Sequence, residues 1–176
     1  KRSFSTIIMI NNFKSGFSFG VYKMCKKNNS TGIIGLGYVG LPLLMDFCEA
    51  GLTVIGFDID EEKIKQLEKG QSYIGYIPAD DIAGYVKSGV LKPTSDFKRL
   101  REVDNIIITV PTPLTEPREP DLGFVESTAR NIAENLQKGQ LVVLESTTYP
   151  GTSREVILPL LEKTGMKVGR DFYLAY

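Results

Sequence analysis

The chain alternates short apolar runs with longer amphipathic stretches, and that alternation sets the expected fold. Continuous apolar runs lie at Gly32-Ile33-Ile34, Thr53-Val54-Ile55-Gly56-Phe57, Asn105-Ile106-Ile107-Ile108-Thr109-Val110 and Leu141-Val142-Val143-Leu144. Runs of this length without polar alternation predict strands buried on both faces, as in a parallel sheet. Between them, apolar residues recur at helical spacing. One such stretch follows Gly40 and is closed by Gly51, and another opens at Asp60-Glu61-Glu62, carries Ile64 and Leu67 on one face and ends at Gly70. Two more run from Ala79 to Lys87, with Gly89 after it, and from Phe124 to Leu136, with Val125, Ile132 and Leu136 on one side. Acids near a helix start and glycine past its end are the expected punctuation. Lesser signals predict a short strand at Leu91-Lys92-Pro93-Thr94, one helical turn over Phe97 to Arg101, a helix from Arg154 to Lys163, and a last strand within Asp171 to Tyr176. Strands alternating with helices give an α/β fold, a doubly wound parallel sheet with helices on both faces.

Glycine spacing sharpens this picture. Gly35, Gly37 and Gly40 stand at G-x-G-x-x-G spacing directly after the first apolar run, and Asp58 follows the second, eighteen residues beyond Gly40. That is the layout of a Rossmann-type dinucleotide-binding β-α-β unit. Gly35 permits the tight turn out of the strand, Gly37 lets the backbone approach a pyrophosphate, and Gly40 lets the helix pack closely. The N–H groups at the helix start then face the phosphates, where the helix dipole favours negative charge. Asp58 is expected to accept hydrogen bonds from an adenosine ribose, and as an acid it favours NAD over NADP; its plainer alternative is to end a strand. Tyr38 and Val39 are expected against the cofactor, the alternative being packing beneath the loop. The proline-rich stretch from Thr112 to Gly123 leaves a predicted central strand, so it is expected to border the ligand crevice.

Composition narrows the partners. Of 176 residues, 42% are hydrophobic and 24% charged, as in a globular protein, and the 21 basic residues equal the 21 acidic ones, so net charge argues for neither a nucleic-acid nor a membrane partner. The charge is uneven: residues 1–31 carry +6 and no acid, which leaves −6 for the remainder. This basic leader is read as unstructured or outside the natural domain, and residues 32–176 as the nucleotide-binding domain. Its apolar run Thr6 to Ile10 is too short to span a bilayer, and Met24-Cys25-Lys26-Lys27 reads as an ordinary cytoplasmic start. Cys25 and Cys48 are the only cysteines, which argues against a disulfide framework and fits the cytosol; Cys48 is expected to pack as a small hydrophobe. The chain has no histidine, so it holds no Ser-His-Asp or Cys-His centre and lacks the commonest metal ligand. No metal site is expected.

Four stretches, taken together, resemble the N-terminal domain of the UDP-glucose/GDP-mannose dehydrogenase family of nucleotide-sugar dehydrogenases. They are Gly35 to Pro42, Phe57-Asp58-Ile59-Asp60 with Lys63, Val110-Pro111-Thr112-Pro113-Leu114, and Glu145-Ser146-Thr147-Thr148-Tyr149-Pro150-Gly151-Thr152. The last most resembles the branch that oxidises UDP-N-acetylhexosamines, such as UDP-N-acetylglucosamine 6-dehydrogenases. The resemblance implies a cytoplasmic, homo-oligomeric enzyme of polysaccharide biosynthesis. It would use two NAD to oxidise the C6 alcohol of a UDP-sugar to the uronate, through a thiohemiacetal and a thioester on a cysteine. It assigns the glycine loop and Val39 to the pyrophosphate, Asp58 and Lys63 to the ribose, Thr112 to the cofactor, and Ser146 with Thr147 to the nicotinamide end. Thr147 is the catalytic candidate, its hydroxyl helping to hold a water near the reacting carbon.

Plainer alternatives are a solvated helix position for Lys63, turn chemistry for Thr112 and helix capping for Ser146 and Thr147. The family's nucleophilic cysteine lies in a later segment, and Cys48 is no substitute, so this chain alone is expected to bind NAD and turn nothing over. Competing readings are a UDP-glucose or GDP-mannose 6-dehydrogenase, another Rossmann hydroxyacid dehydrogenase, or a non-catalytic nucleotide-binding module.

Overall fold

A computed structural model of the chain describes residues 30–114, 116 and 120–176. Most of the basic leader, with the run Thr6 to Ile10, Met24 and Cys25, lies outside the described residues, as does Pro117. The elements follow the predicted order: β1 (Thr31–Ile34), α1 (Gly40–Glu49), β2 (Val54–Phe57), α2 (Glu61–Glu68), α3 (Ala79–Ser88), β3 (Leu91–Thr94), a 3₁₀ turn (Phe97–Glu102) and β4 (Asn105–Ile108). Then come α4 (Gly123–Asn135), β5 (Leu141–Leu144), a π-helical turn (Ser153–Ile157) running into α5 (Leu158–Glu162), and β6 (Tyr173–Ala175). Because β1 takes in Thr31, the domain boundary expected at residue 32 falls one position inside the first strand.

The six strands form one sheet, paired in parallel throughout, in the order β3-β2-β1-β4-β5-β6. Every residue of β1, β2, β4 and β5 is buried, which is why their sequences read as unbroken apolar runs. The two-residue pleat divides those side chains between two cores. Ile34, Phe57, Ile106, Ile108, Val142 and Leu144 face α4, the π-helical turn and α5, against Val125, Ala129, Ile132, Ile157 and Leu161. Ile33, Val54, Ile107, Leu141 and Val143 face the other way, toward Leu41, Leu44 and Cys48 of α1, Ile64 and Leu67 of α2, and Ile82 of α3. Pro93, which has no N–H for a sheet, is tolerated because β3 is an edge strand.

The expected helix from Arg154 to Lys163 is only partly α. Its first turn is π-helical, with the Leu158 N–H donating to the carbonyl of Ser153, and Pro159 stands just inside α5. A proline there has no N–H and its ring crowds the carbonyl four residues back, so a wider turn accommodates it.

The register positions the site. Ile34 pairs with Phe57 on one side and with Ile108 on the other, and Ile108 pairs with Leu144. Gly35, Asp58, Thr109 and Glu145 are therefore the first residues past one common line, at the carboxyl ends of four adjacent strands. Here β1 feeds one half of the sheet and β4 the other, the topological switch point where ligands of such sheets bind. Gly35 turns the chain at φ +93°, and at Gly40 the helix comes down so close that a Cβ would collide with the Gly35 carbonyl oxygen and lie 2.5 Å from Thr109 Oγ1.

Glycine to alanine within an ordinary helix stabilises by about 0.5–1 kcal/mol. At Gly40 the sign reverses: Gly40→Ala is expected to destabilise the fold by about 1–3 kcal/mol, the cost of overpacking a filled contact. Urea denaturation checks this, and an unchanged midpoint would contradict the close approach.

Candidate functional site

The first turn of α1 offers unclaimed donors. Gly35 N–H is spent on the carbonyl of Phe57 and Leu36 N–H on Asp58, but among the described residues the N–H groups of Gly37, Tyr38, Val39 and Gly40 have no acceptor. A helix start with free N–H groups and no acidic side chain in its first turn is a site for an anion. A Cβ on Gly37 would meet nothing within 4 Å, so the space beside it is open for a group to approach the backbone. Tyr38 and Val39 are 77% and 62% exposed, which excludes packing beneath the loop.

Asp58 does more than end a strand. It is 6% exposed, and its carboxylate accepts from Leu36 N–H (2.8 Å, Oδ2) and Asp60 N–H (3.0 Å, Oδ1). The acid at the end of β2 thereby fixes the turn at the end of β1. A carboxylate has about four acceptor positions, so the two N–H groups do not exhaust it. Lys63 is half-buried rather than a freely solvated helix residue: its Nζ lies 3.6 Å from Asp58 Oδ2 and 6.0 Å from the centre of the Tyr73 ring. Asp60 caps α2 through its Oδ1 and so sets the helix that carries Lys63.

On the far side of the crevice the exits of β4 and β5 are joined by hydroxyls. Ser146 is 6% exposed and its hydroxyl donates to the Val110 carbonyl at 2.7 Å, so it fastens the crevice floor. Thr112 donates to the carbonyl of Thr147 at 2.7 Å, and Thr147 itself is exposed. Neither Ser146 nor Thr147 caps the following helix, whose N-cap is Thr152. The structure thus gathers Gly35, Gly37, Tyr38, Val39, Gly40, Asp58 and Lys63 on one side of the switch point and Thr112, Ser146 and Thr147 on the other.

Sequence reading missed three residues that hold this arrangement. Thr109, buried past the end of β4, donates to the carbonyls of Ile34 (2.9 Å) and Gly35 (2.8 Å), tying the switch point shut. Its signal was a lone hydroxyl near the end of an otherwise apolar run. Tyr73 donates to the Leu36 carbonyl at 2.6 Å and Tyr76 to the Tyr38 carbonyl at 3.4 Å. Burial, with the Asp58 and Asp60 carboxylates nearby, pushes the Tyr73 phenol above its ordinary value, which keeps it a donor. Nothing in the sequence marks either tyrosine, because both act from the link between α2 and α3 on a loop more than thirty residues away.

Free amides at a helix start, open space over Gly37 and a buried acid bonded to the loop fit a dinucleotide, and they define a Rossmann dinucleotide-binding domain. The family follows from comparison with known proteins. Residues 29–176 match the NAD binding domain of the UDP-glucose/GDP-mannose dehydrogenase family, and the chain belongs to that family. It is 37% identical over 151 residues to UDP-N-acetyl-D-glucosamine 6-dehydrogenase of Pseudomonas aeruginosa, covering 85% of this chain and 35% of that protein. It is 39% identical over 145 residues to UDP-N-acetyl-D-mannosamine dehydrogenase of Pyrococcus horikoshii, covering 82% and 34%. The solved ternary complex of GDP-mannose dehydrogenase from Pseudomonas aeruginosa superposes with a TM-score of 0.78 at 33% identity, covering 82% of this chain and 34% of that one. The chain therefore spans about a third of the length of the relatives it matches.

Thr109→Val keeps the shape of the side chain and removes the hydroxyl that ties β4 to the glycine turn. The expected loss is about 1 kcal/mol of stability, the net worth of a buried hydrogen bond. Chemical denaturation checks it, and equal stability of the two forms would remove Thr109 as a fastening.

Proposed function

We propose that the protein carrying this chain is an NAD-dependent 6-dehydrogenase of a UDP-N-acetylhexosamine, in which these residues hold the NAD. The observation that carries the reading is the run of four N–H groups from Gly37 to Gly40 beside a buried acid fixed to the same loop. The block Glu145 to Thr152 and the names of two relatives, dehydrogenases of UDP-N-acetyl-D-glucosamine and UDP-N-acetyl-D-mannosamine, support the choice of sugar.

In this reading the Gly37 to Gly40 amides take the diphosphate, and the Asp58 carboxylate, balanced by Lys63, accepts from the adenosine ribose. Thr112, Ser146 and Thr147 border the end of the crevice where the nicotinamide would lie. Bound NAD supplies the oxidising power by accepting a hydride from the alcohol carbon. Thr147, exposed at the crevice, contributes a hydroxyl that donates or accepts a hydrogen bond near the reacting carbon and so positions groups there; a hydroxyl of ordinary acidity is no strong base. Cys48 takes no part. It is buried in α1, and burial pushes its thiol up to about 11, the reverse of what a nucleophile needs. A cysteine elsewhere in the complete protein would have to serve. The enzyme works in this reading as a cytoplasmic homo-oligomer that supplies uronic acids for polysaccharide. Among the described residues no helix is long and apolar enough to cross a membrane.

The test is a panel of UDP-N-acetylglucosamine, UDP-N-acetylmannosamine, UDP-glucose and GDP-mannose offered to the complete protein with NAD, reading NADH absorbance. Turnover of an N-acetylhexosamine is expected. Turnover of GDP-mannose alone would move the protein to another branch, and none with any sugar would overturn the reading. Thr147→Ala is expected to slow turnover and leave thermal unfolding unchanged. Gly37→Ala should fold normally, having nothing within 4 Å of the new methyl, yet lose about 1–3 kcal/mol of NAD affinity as the methyl crowds the diphosphate. Calorimetric titration with NAD measures it, and an unaltered affinity would move the diphosphate away from Gly37.

A further inference from the structure

We infer that the link between α2 and α3 is a positioning element for the phosphate-binding loop, with Tyr73 as its main fastening and Tyr76 as its second. The inference rests on the NAD reading above and deepens it. A peptide unit is planar and trans, so the N–H of each residue points opposite to the carbonyl of the residue before it. Whatever grips the Leu36 carbonyl therefore also aims the Gly37 N–H, and whatever grips the Tyr38 carbonyl aims the Val39 N–H. The two tyrosines grip these two carbonyls: Tyr73 holds that of Leu36 at 2.6 Å and Tyr76 that of Tyr38 at 3.4 Å. Both hydroxyls come from one side, so both N–H groups are turned away from the α2–α3 link. Gly37 N–H and Val39 N–H are two of the four donors that have no acceptor among the described residues.

The peptide before Leu36 is fixed from the other direction. Leu36 N–H donates to Asp58, so the units on both sides of Leu36 are held, one by the acid and one by the phenol. Lys63 lies against both, 3.6 Å from Asp58 Oδ2 and 6.0 Å from the centre of the Tyr73 ring, which links the ribose side of the site to the strap. The link itself is anchored by Ile74 and Ile77, buried beside α2 and α3, and by Ser72, whose hydroxyl donates to the Ile74 carbonyl at 2.8 Å. A loop without this strap would still turn at Gly35 and still start a helix at Gly40. It would lose the fixed aim of its donors, and preorganised donors bind an anion more tightly than donors that must be ordered on binding.

Tyr73→Phe removes one hydroxyl and keeps the ring. In the complete protein the expected result is a roughly three- to tenfold weaker NAD dissociation constant by calorimetry, the range for one hydrogen bond. The KM for NAD should rise by the same factor, with the change confined to KM; a merely structural defect would lower the active fraction and so kcat instead. Tyr76→Phe, at a longer and exposed contact, should weaken NAD in the same direction by a smaller factor. Should the first variant fail to fold, the second decides, and an unchanged NAD affinity in it overturns the inference. Equal NAD affinity in folded Tyr73→Phe overturns the inference and leaves the NAD reading standing. An unmodified protein that takes up no NAD overturns both.

Discussion

Where α1 meets the exit of β1 there is no room for a single carbon atom. A Cβ at Gly40 would strike the Gly35 carbonyl oxygen and press on the Thr109 hydroxyl. This contact brings the first turn of the helix down onto the end of the sheet, so that its unpaired N–H groups open at the point where the strand order reverses. A side chain at Gly40 would force the helix away and carry the donors with it, and one at Gly35 would press on the backbone of Thr109 and Val110 at the exit of β4.

The contact draws its neighbours into one connected set of hydrogen bonds. Asp58, at the end of β2, holds the Leu36 N–H; Thr109, past β4, holds the carbonyls of Ile34 and Gly35; Ser146, past β5, holds that of Val110. Each is a side chain from one strand exit fixing the backbone of the next. The strands are aligned without offset, so the bonds form between residues that leave the sheet side by side. Buried apolar strands supply the rigidity, and the polar side chains of the site sit at their carboxyl ends, where a ligand can reach them. This division explains why α/β sheets of this kind carry their chemistry at one edge.

Much of this was legible in the residues. Isoleucine and valine runs without alternation announced strands buried on both faces, and glycine and acid punctuation marked α1 to α4 within a residue or two. The glycine spacing and Asp58 marked the crevice because their jobs are local: a turn, a close approach, a strand end. What stayed hidden is non-local. Tyr73 and Tyr76 bond a loop 37 and 38 positions earlier in the chain, and no spacing rule reaches that far. The π-helical start at Ser153 was missed because the effect of Pro159 on the carbonyl pattern appears only once the turn is built. The resemblance to nucleotide-sugar dehydrogenases rested on blocks that the fold brings to one edge, and the match of residues 29–176 to the family's NAD binding domain agrees with it.

Ser146 shows how a residue placed near a ligand by resemblance acquires a physical role from geometry. Its hydroxyl proton is committed to Val110 and its side chain is buried, so its contribution is to hold the floor over which Thr147 is exposed. The site as a whole is therefore a fixed frame of backbone donors with few free side chains, suited to gripping a diphosphate. Its central claim is tested most directly by following the backbone amide resonances of the ¹⁵N-labelled chain as NAD is added. The account predicts the largest shifts at Gly37, Tyr38, Val39 and Gly40. Shifts centred elsewhere on the fold, or none at saturating NAD, would contradict it.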